Sequence, residues 1–253
     1  MRSRAAAIVF FVSLAGGCGG DAPPLPPPRV HTPLDLATTG TITGQVRFEG
    51  TPPAMKEIRF GSFAECAAQH PGAVSTGDVL VRDGHVQNAF VYIQSGLGER
   101  VFAIPETPVE IDQTGCLYAP RVAGAQVGQA IRFVNSDPAV HNVHGSPTSS
   151  PAWNFVLSRR GLAREIRLDR PEVMVSVRCD LHPWMQAWIG VVDHPYFAVT
   201  GPDGSFRLAH VPPGTYTLTA WHERFGVQDR PVTLGERGEA DVTFAFAADA
   251  RSS

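Results

Sequence analysis

The stretch Cys179-Asp180-Leu181-His182-Pro183-Trp184-Met185 carries a thiol, an imidazole and a thioether in the spacing Cys-x2-His-x2-Met. These are the soft donors that copper favours, and a second imidazole would complete a trigonal set with a weak axial sulfur. Such an imidazole lies upstream, in Asn135-Ser136-Asp137-Pro138-Ala139-Val140-His141-Asn142-Val143-His144. Two histidines compete there. In an extended strand their odd separation sends them to opposite faces, so only one of the pair reaches a shared ion. Taken singly, Cys179 could be a buried structural thiol and Met185 a core filler. Taken together with the histidines, the four groups read as one copper site. Zinc fits less well because its tetrahedral sites rarely use methionine. A binuclear copper centre would need a second cysteine beside Cys179.

Around this site the chain reads as strands. With 43% apolar and 18% charged residues it can bury a core. Its 25 glycines and 22 prolines suit many short strands better than long helices. Strand patterns run over 41–48, 88–94, 130–135, 172–178, 188–192, 215–221 and 241–246, separated by turns such as Pro202-Asp203-Gly204 and Pro212-Pro213-Gly214. The fold class is therefore all-β, with two sandwiches. Net charge is −3 with no basic stripe, which argues against nucleic-acid binding. There is no Gly-x-Ser-x-Gly elbow, phosphate loop or dinucleotide fingerprint, and Trp221-His222-Glu223 is not continued into a metalloprotease motif. No enzymatic machinery is expected.

The two ligand-bearing stretches resemble those of cupredoxins, most closely of the amicyanin and pseudoazurin type. The shared features are the Asn-x-Asp turn, the His-Asn-Val strand start and the Cys-x2-His-x2-Met loop, and the resemblance covers residues 108–193. It implies a Greek-key sandwich with one mononuclear copper held by His141, Cys179, His182 and Met185, and with Asn142 bracing the loop. Asp180 stands where such proteins often carry serine or threonine, and is expected to lower the potential or loosen the loop. The resemblance further implies that His182 sits near the surface and passes electrons to a redox partner protein. Pro183 and Trp184 would then form an apolar docking patch, although Trp184 suits a core position equally well.

A second resemblance is to carboxypeptidase-regulatory-like, prealbumin-type domains. It rests on Thr200-Gly201-Pro202-Asp203-Gly204-Ser205-Phe206 and Val211-Pro212-Pro213-Gly214-Thr215-Tyr216, with early strands over 42–50 and 88–93. This implies one sandwich split between 41–95 and 194–247, with the copper domain, 96–193, inserted. Modules of this kind also occur as carbohydrate-binding folds, which makes carbohydrate a possible ligand. Tyr216 and Trp221 nevertheless read as core packing, and His70, His85, His194, His210 and His222 as surface or structural groups.

The N-terminus reads as an address. Arg2 and Arg4 precede the apolar stretch 5–15 and the small residues before Cys18, the layout of a secretory signal over residues 1–17. Leu14-Ala15-Gly16-Gly17-Cys18 resembles a bacterial lipobox, with Ala15 where leucine is usual, and implies lipidation of Cys18. Residues 18–40, with their proline run, form a stiff tether, and residues 248–253 a disordered tail. The expected location is the bacterial cell envelope, periplasmic or anchored to the outer membrane through a lipidated N-terminus. Export permits disulfides, and Cys66 and Cys116 remain as an even pair. A disulfide is the simplest reading, and an accessory metal site with His70 is the alternative. The sequence thus points to a single-electron carrier. Copper storage or delivery, and carbohydrate binding or adhesion with a secondary copper site, are the competing functions.

Overall fold

The computed structural model describes residues 31–248. The signal segment, Cys18, the first part of the tether and residues 249–253 lie outside the described residues. Early strands are β1 (Gly40–Glu49), β2 (Val81–Arg82), β3 (His85–Val86) and β4 (Phe90–Ser95). A middle block follows, with β5 (Val109–Thr114), β6 (Leu117–Ala119), β7 (Val122–Gln126), β8 (Ile131–Asn135), β9 (His141–Ser146), β10 (Trp153–Leu157), β11 (Ala163–Ile166), β12 (Glu172–Arg178) and β13 (Gln186–Val192). The late strands are β14 (Phe197–Val199), β15 (Ser205–Val211), β16 (Gly214–His222), β17 (Gly226–Leu234) and β18 (Glu239–Ala247). Among the described residues the only helix is α1 (Ala64–Ala67), a single turn. No helix there is long and apolar enough to cross a membrane.

Early strands find their partners among late ones. In β1, Ile42, Gly44, Val46 and Phe48 point inward while the alternate residues are at least partly exposed, the period of a half-buried strand. That strand pairs antiparallel with β15 and parallel with β18, while β4 lies between β14 and β16. The two sheets close over one apolar core containing Ile42, Val86, Ile93, Leu218, Phe244 and Phe246. This is a sandwich built from both ends of the described chain. The middle block forms its own pair of sheets, ordered β10-β9-β12-β13-β7 and β11-β8-β5-β6, around Ile111, Ile131, Phe133, Val143, Val177 and Ile189.

The two sandwiches meet through an aromatic layer. Phe90 from β4 and Phe197 from β14 lie against β7 and β13, where Gly124 and Gly190 are paired in register. A Cβ on Gly190 would stand 2.5 Å from the Phe90 ring, and one on Gly124 would press into the Phe197 ring. The missing side chains are what let the rings lie flat. At the edge of this layer Arg121 clasps both carboxylate oxygens of Glu223, at 2.5 and 2.8 Å, and Trp188 Nε1 donates to the same carboxylate at 3.2 Å. Trp221 packs on Trp188 with ring centres 5.3 Å apart, and Tyr216 is buried in the split sandwich. Both aromatic side chains are packing groups.

One segment departs from the split expected on sequence. Residues 57–70, in the connection from β1 to β2, leave their own sandwich and lie on the inserted one, where Cys66 and Phe60 join its core cluster. The attachment is covalent: Cys66 and Cys116 form a disulfide with Cα atoms 5.5 Å apart. That pairing excludes the accessory metal site with His70, whose ring instead stacks on Phe60 and reaches Gly115 O at 2.7 Å.

Candidate metal centre

His141 is placed by the turn that precedes it. Asn135, buried at the end of β8, donates to Ala139 O at 2.9 Å and Leu157 O at 2.8 Å, and accepts from Asp137 N at 2.8 Å. This side-chain turn folds residues 135–140 back on themselves and directs the fully buried Asp137 at the histidine four residues on. His141 Nε2 lies 2.8 Å from Asp137 Oδ2. The same carboxylate accepts from Gly115 N and Cys116 N, both at 2.7 Å. Those amides converge because Gly115 and Cys116 form the two-residue turn between β5 and β6, with φ of +62° and +53°. Left-handed residues at both positions belong to the type I′ hairpin turn, which explains the glycine.

The electrostatics follow from these bonds. Burial pushes the Asp137 carboxyl up, but His141 and the two amides outweigh it and hold the group below its usual range. For His141 burial opposes the charged ring, yet Asp137 and Cys179 raise it above its ordinary value. A carboxylate on Nε2 fixes that nitrogen as the donor and leaves the Nδ1 lone pair free. That Nδ1 faces His182 Nδ1 at 3.0 Å, and Cys179 Sγ lies 3.5 Å from His182 Nδ1. One ligand atom from each of His141, Cys179 and His182 falls within 4.8 Å of the others, and all three residues are buried. Burial alone would raise the Cys179 thiol; hydrogen bonds from the two histidines and neighbouring backbone bring it down to about 6.

Met185 closes the loop. Its amide donates to His182 O at 2.9 Å, its carbonyl accepts from Cys179 N at 3.3 Å, and its side chain is buried in the same core cluster as Cys179. His144 points to the other face of β9, half-buried, with Nδ1 3.0 Å from Asp180. The parity argument thus selects His141. Asn142 Oδ1 accepts from Asp180 N at 2.7 Å and lies 3.3 Å from Cys179 Sγ, which ties the loop to β9.

Two expectations need correction. Asp180 does not loosen the loop: its carboxylate accepts from Asn142, Asn154 and Arg178 and meets His144, all within 3.1 Å, which brings it down to about 2. The acidic side chain is a brace. Nor is His182 a surface group. It is 4% exposed, because the segment 57–70 lies over it. Phe63 meets the His182 ring edge-on with centres 5.0 Å apart, and Trp184 packs between Phe60 and Phe63. Trp184 is half-buried, with Nε1 donating to Cys116 O at 2.9 Å, so it buttresses the site. Sequence reading missed Asp137 and Phe63. An acidic residue four before the candidate ligand His141 was a usable signal for the first; nothing in the spacing announces the second.

Residues 186–247 match the family model of the carboxypeptidase regulatory-like domain, from β13 through the late strands. The fold is all-β: the strands of the match belong mostly to the split sandwich, and the second sandwich is inserted between its early and late strands. Among solved structures the chain is similar to a purple cupredoxin from Nitrosopumilus maritimus, at 19% identity and a TM-score of 0.29, covering 33% of this chain and 98% of that one. It is also similar to a reduced, singly substituted mutant of amicyanin, at 20% identity and a TM-score of 0.31, covering 40% of this chain and 97% of that one. A third is the Cu-containing nitrite reductase from Thermus scotoductus SA-01, at 24% identity and a TM-score of 0.31 over 39% of this chain. The chain spans only 25% of that reductase. No curated protein matches the chain by sequence.

Proposed function

We propose that the protein is an exported carrier of single electrons that holds one copper ion on His141, Cys179, His182 and Met185. The observation that carries this reading is the convergence of two imidazole Nδ1 atoms and one thiol sulfur, all buried, at the end of a rigid sandwich. The donors suit a soft ion: the nearest carboxylate, Asp137, is committed to His141 and two amides and does not compete for the metal. Bound there, copper supplies a one-electron Cu(I)/Cu(II) couple.

The chain's own part is to fix the donors in advance. Asp137 sets the tautomer of His141, Asn142 and Asp180 hold the backbone at Cys179, and the Met185 turn ties both ends of the loop. Preformed donors leave little to rearrange when the metal changes charge, which favours fast electron exchange over metal release. That is why the carrier is preferred to a storage or delivery protein, and no catalytic role is assigned. The signal-like N-terminus and Cys18 support a place in the bacterial envelope, with lipid holding the protein to a membrane and a second redox protein as its partner.

The test is the visible spectrum of the copper-loaded protein. An intense thiolate-to-copper band that disappears in Cys179→Ser, with the far-ultraviolet circular dichroism unchanged, is the expected result. A copper-loaded wild type without the band, or a band that persists in the variant, overturns the ligand assignment.

A further inference from the structure

The metal end of the inserted sandwich is closed by residues that belong to neither of its sheets. The segment 57–70 reaches across from the split sandwich and brings Phe60, Phe63 and His70 with it. Its fastening is specific: the Cys66–Cys116 disulfide, the His70 ring stacked on Phe60, and His70 Nε2 on Gly115 O. The sulfurs of that disulfide lie within 4.8 Å of a His182 ring nitrogen, so the fastening sits beside the ligand. Phe63 itself is 37% exposed while the histidine beneath it is 4% exposed. An aromatic ring left half in water contributes little to the core. Its place between solvent and the outermost ligand needs a reason.

We infer that Phe63, on a flap latched by the Cys66–Cys116 disulfide, is the cover that keeps small molecules away from His182 and the metal. The inference rests on the copper reading. With the cover in place, exogenous ligands and water have no path to the metal, and exchange is confined to electrons passing through the packed rings. Phe63 is then a specificity-determining residue that separates an electron carrier from a site open to small-molecule chemistry.

The cover can be tested with and without metal. In the metal-free protein, diethyl pyrocarbonate modification of His182 is followed by peptide mass spectrometry, with half-buried His144 as the internal standard. Phe63→Ala is expected to raise the His182 rate about tenfold, equal to about 1.4 kcal/mol of lost protection, with His144 unchanged. Phe63→Leu, which keeps an apolar cover, should stay near the wild-type rate. Cys66→Ser/Cys116→Ser should raise it as Phe63→Ala does. In the copper-loaded protein, azide should perturb the visible band of Phe63→Ala and leave that of the wild type unmoved. Equal His182 rates in wild type and Phe63→Ala, or equal gains in the alanine and leucine variants, would overturn the cover. A wild type that takes up no copper would defeat the copper reading, while the metal-free measurement would still decide whether His182 is covered.

Discussion

In the split sandwich, Thr200, His194 and His222 are buried apart from one another. The Thr200 hydroxyl bonds Val86 O and Ala89 N, and His194 Nε2 bonds Ile93 O. His222 stacks on Phe225, and burial brings its ring down to about 4, so it stays neutral. In the inserted sandwich Asn135, Asp137, His141, Asn142, Cys179 and His182 are buried together and bonded to one another. His141, like His222, is almost closed to solvent, yet it shifts upward because a carboxylate and a thiol stand beside it. Burial alone therefore does not mark a functional histidine; the buried partner does. One sandwich keeps its buried histidines apart, and the other brings two histidines, a thiol and a carboxylate into contact.

That contrast can be broken at four points. Phe244→Ala, in the core of the split sandwich, should cost about 3–5 kcal/mol in urea unfolding and leave the metal-site spectrum unchanged in the folded fraction. A changed spectrum would show that the split sandwich tunes the site. Gly190→Ala should cost about 1–3 kcal/mol, because the new methyl meets the Phe90 ring and the aromatic layer must move. Its unfolding should also separate into two transitions if that layer is what couples the sandwiches.

The third point is pH. Cys179 is held below its unfolded value near 9, so taken alone it makes the metal-free protein more stable as pH rises from about 6 to 9. His141 is held above its unfolded value near 6.5, so its contribution is complete below 6.5 and is lost as pH climbs through the folded value. The two slopes oppose, and the wild type should vary little across this window. In Cys179→Ser, where Asp137 still holds the His141 ring up, stability should instead fall as pH rises above 6.5, by up to about 1.4 kcal/mol per unit, the limit for one proton. An unchanged slope would mean that the two groups do not share their protons. The smallest effect belongs to His144→Ala, which removes a half-exposed contact with Asp180 and should cost under about 1 kcal/mol. Its visible band should stay in place, in contrast to the loss expected for His141→Ala.

Strands with alternating or continuous apolar residues were legible. Glu172–Arg178 stands as read, and β1, β16 and β18 extend their expected spans by one or two residues. β17 was not legible, because Gln228-Asp229-Arg230-Pro231 breaks its apolar pattern with charged residues and a proline. As an edge strand it has one side without a partner, and there a proline and charged side chains are tolerated. The candidate ligands were legible because their chemistry is rare and their spacing is local. The cover over His182 was not, since Phe63 comes from a different sandwich. Only the cysteine pairing hinted at the approach.

Strand β1 pairs in parallel with β18, Thr41 opposite Glu239 and Glu49 opposite Ala247. At ordinary synthesis rates of roughly 5–20 residues per second, the first strand exists for about 10–40 seconds before its last neighbour has been made. The inserted sandwich is complete once Val192 has emerged, so it can fold while the split one is still half assembled. During that interval β1 offers an open edge, and Thr41, Thr43, Gln45, Arg47 and Glu49, alternating along it, give that waiting edge polar side chains on one face.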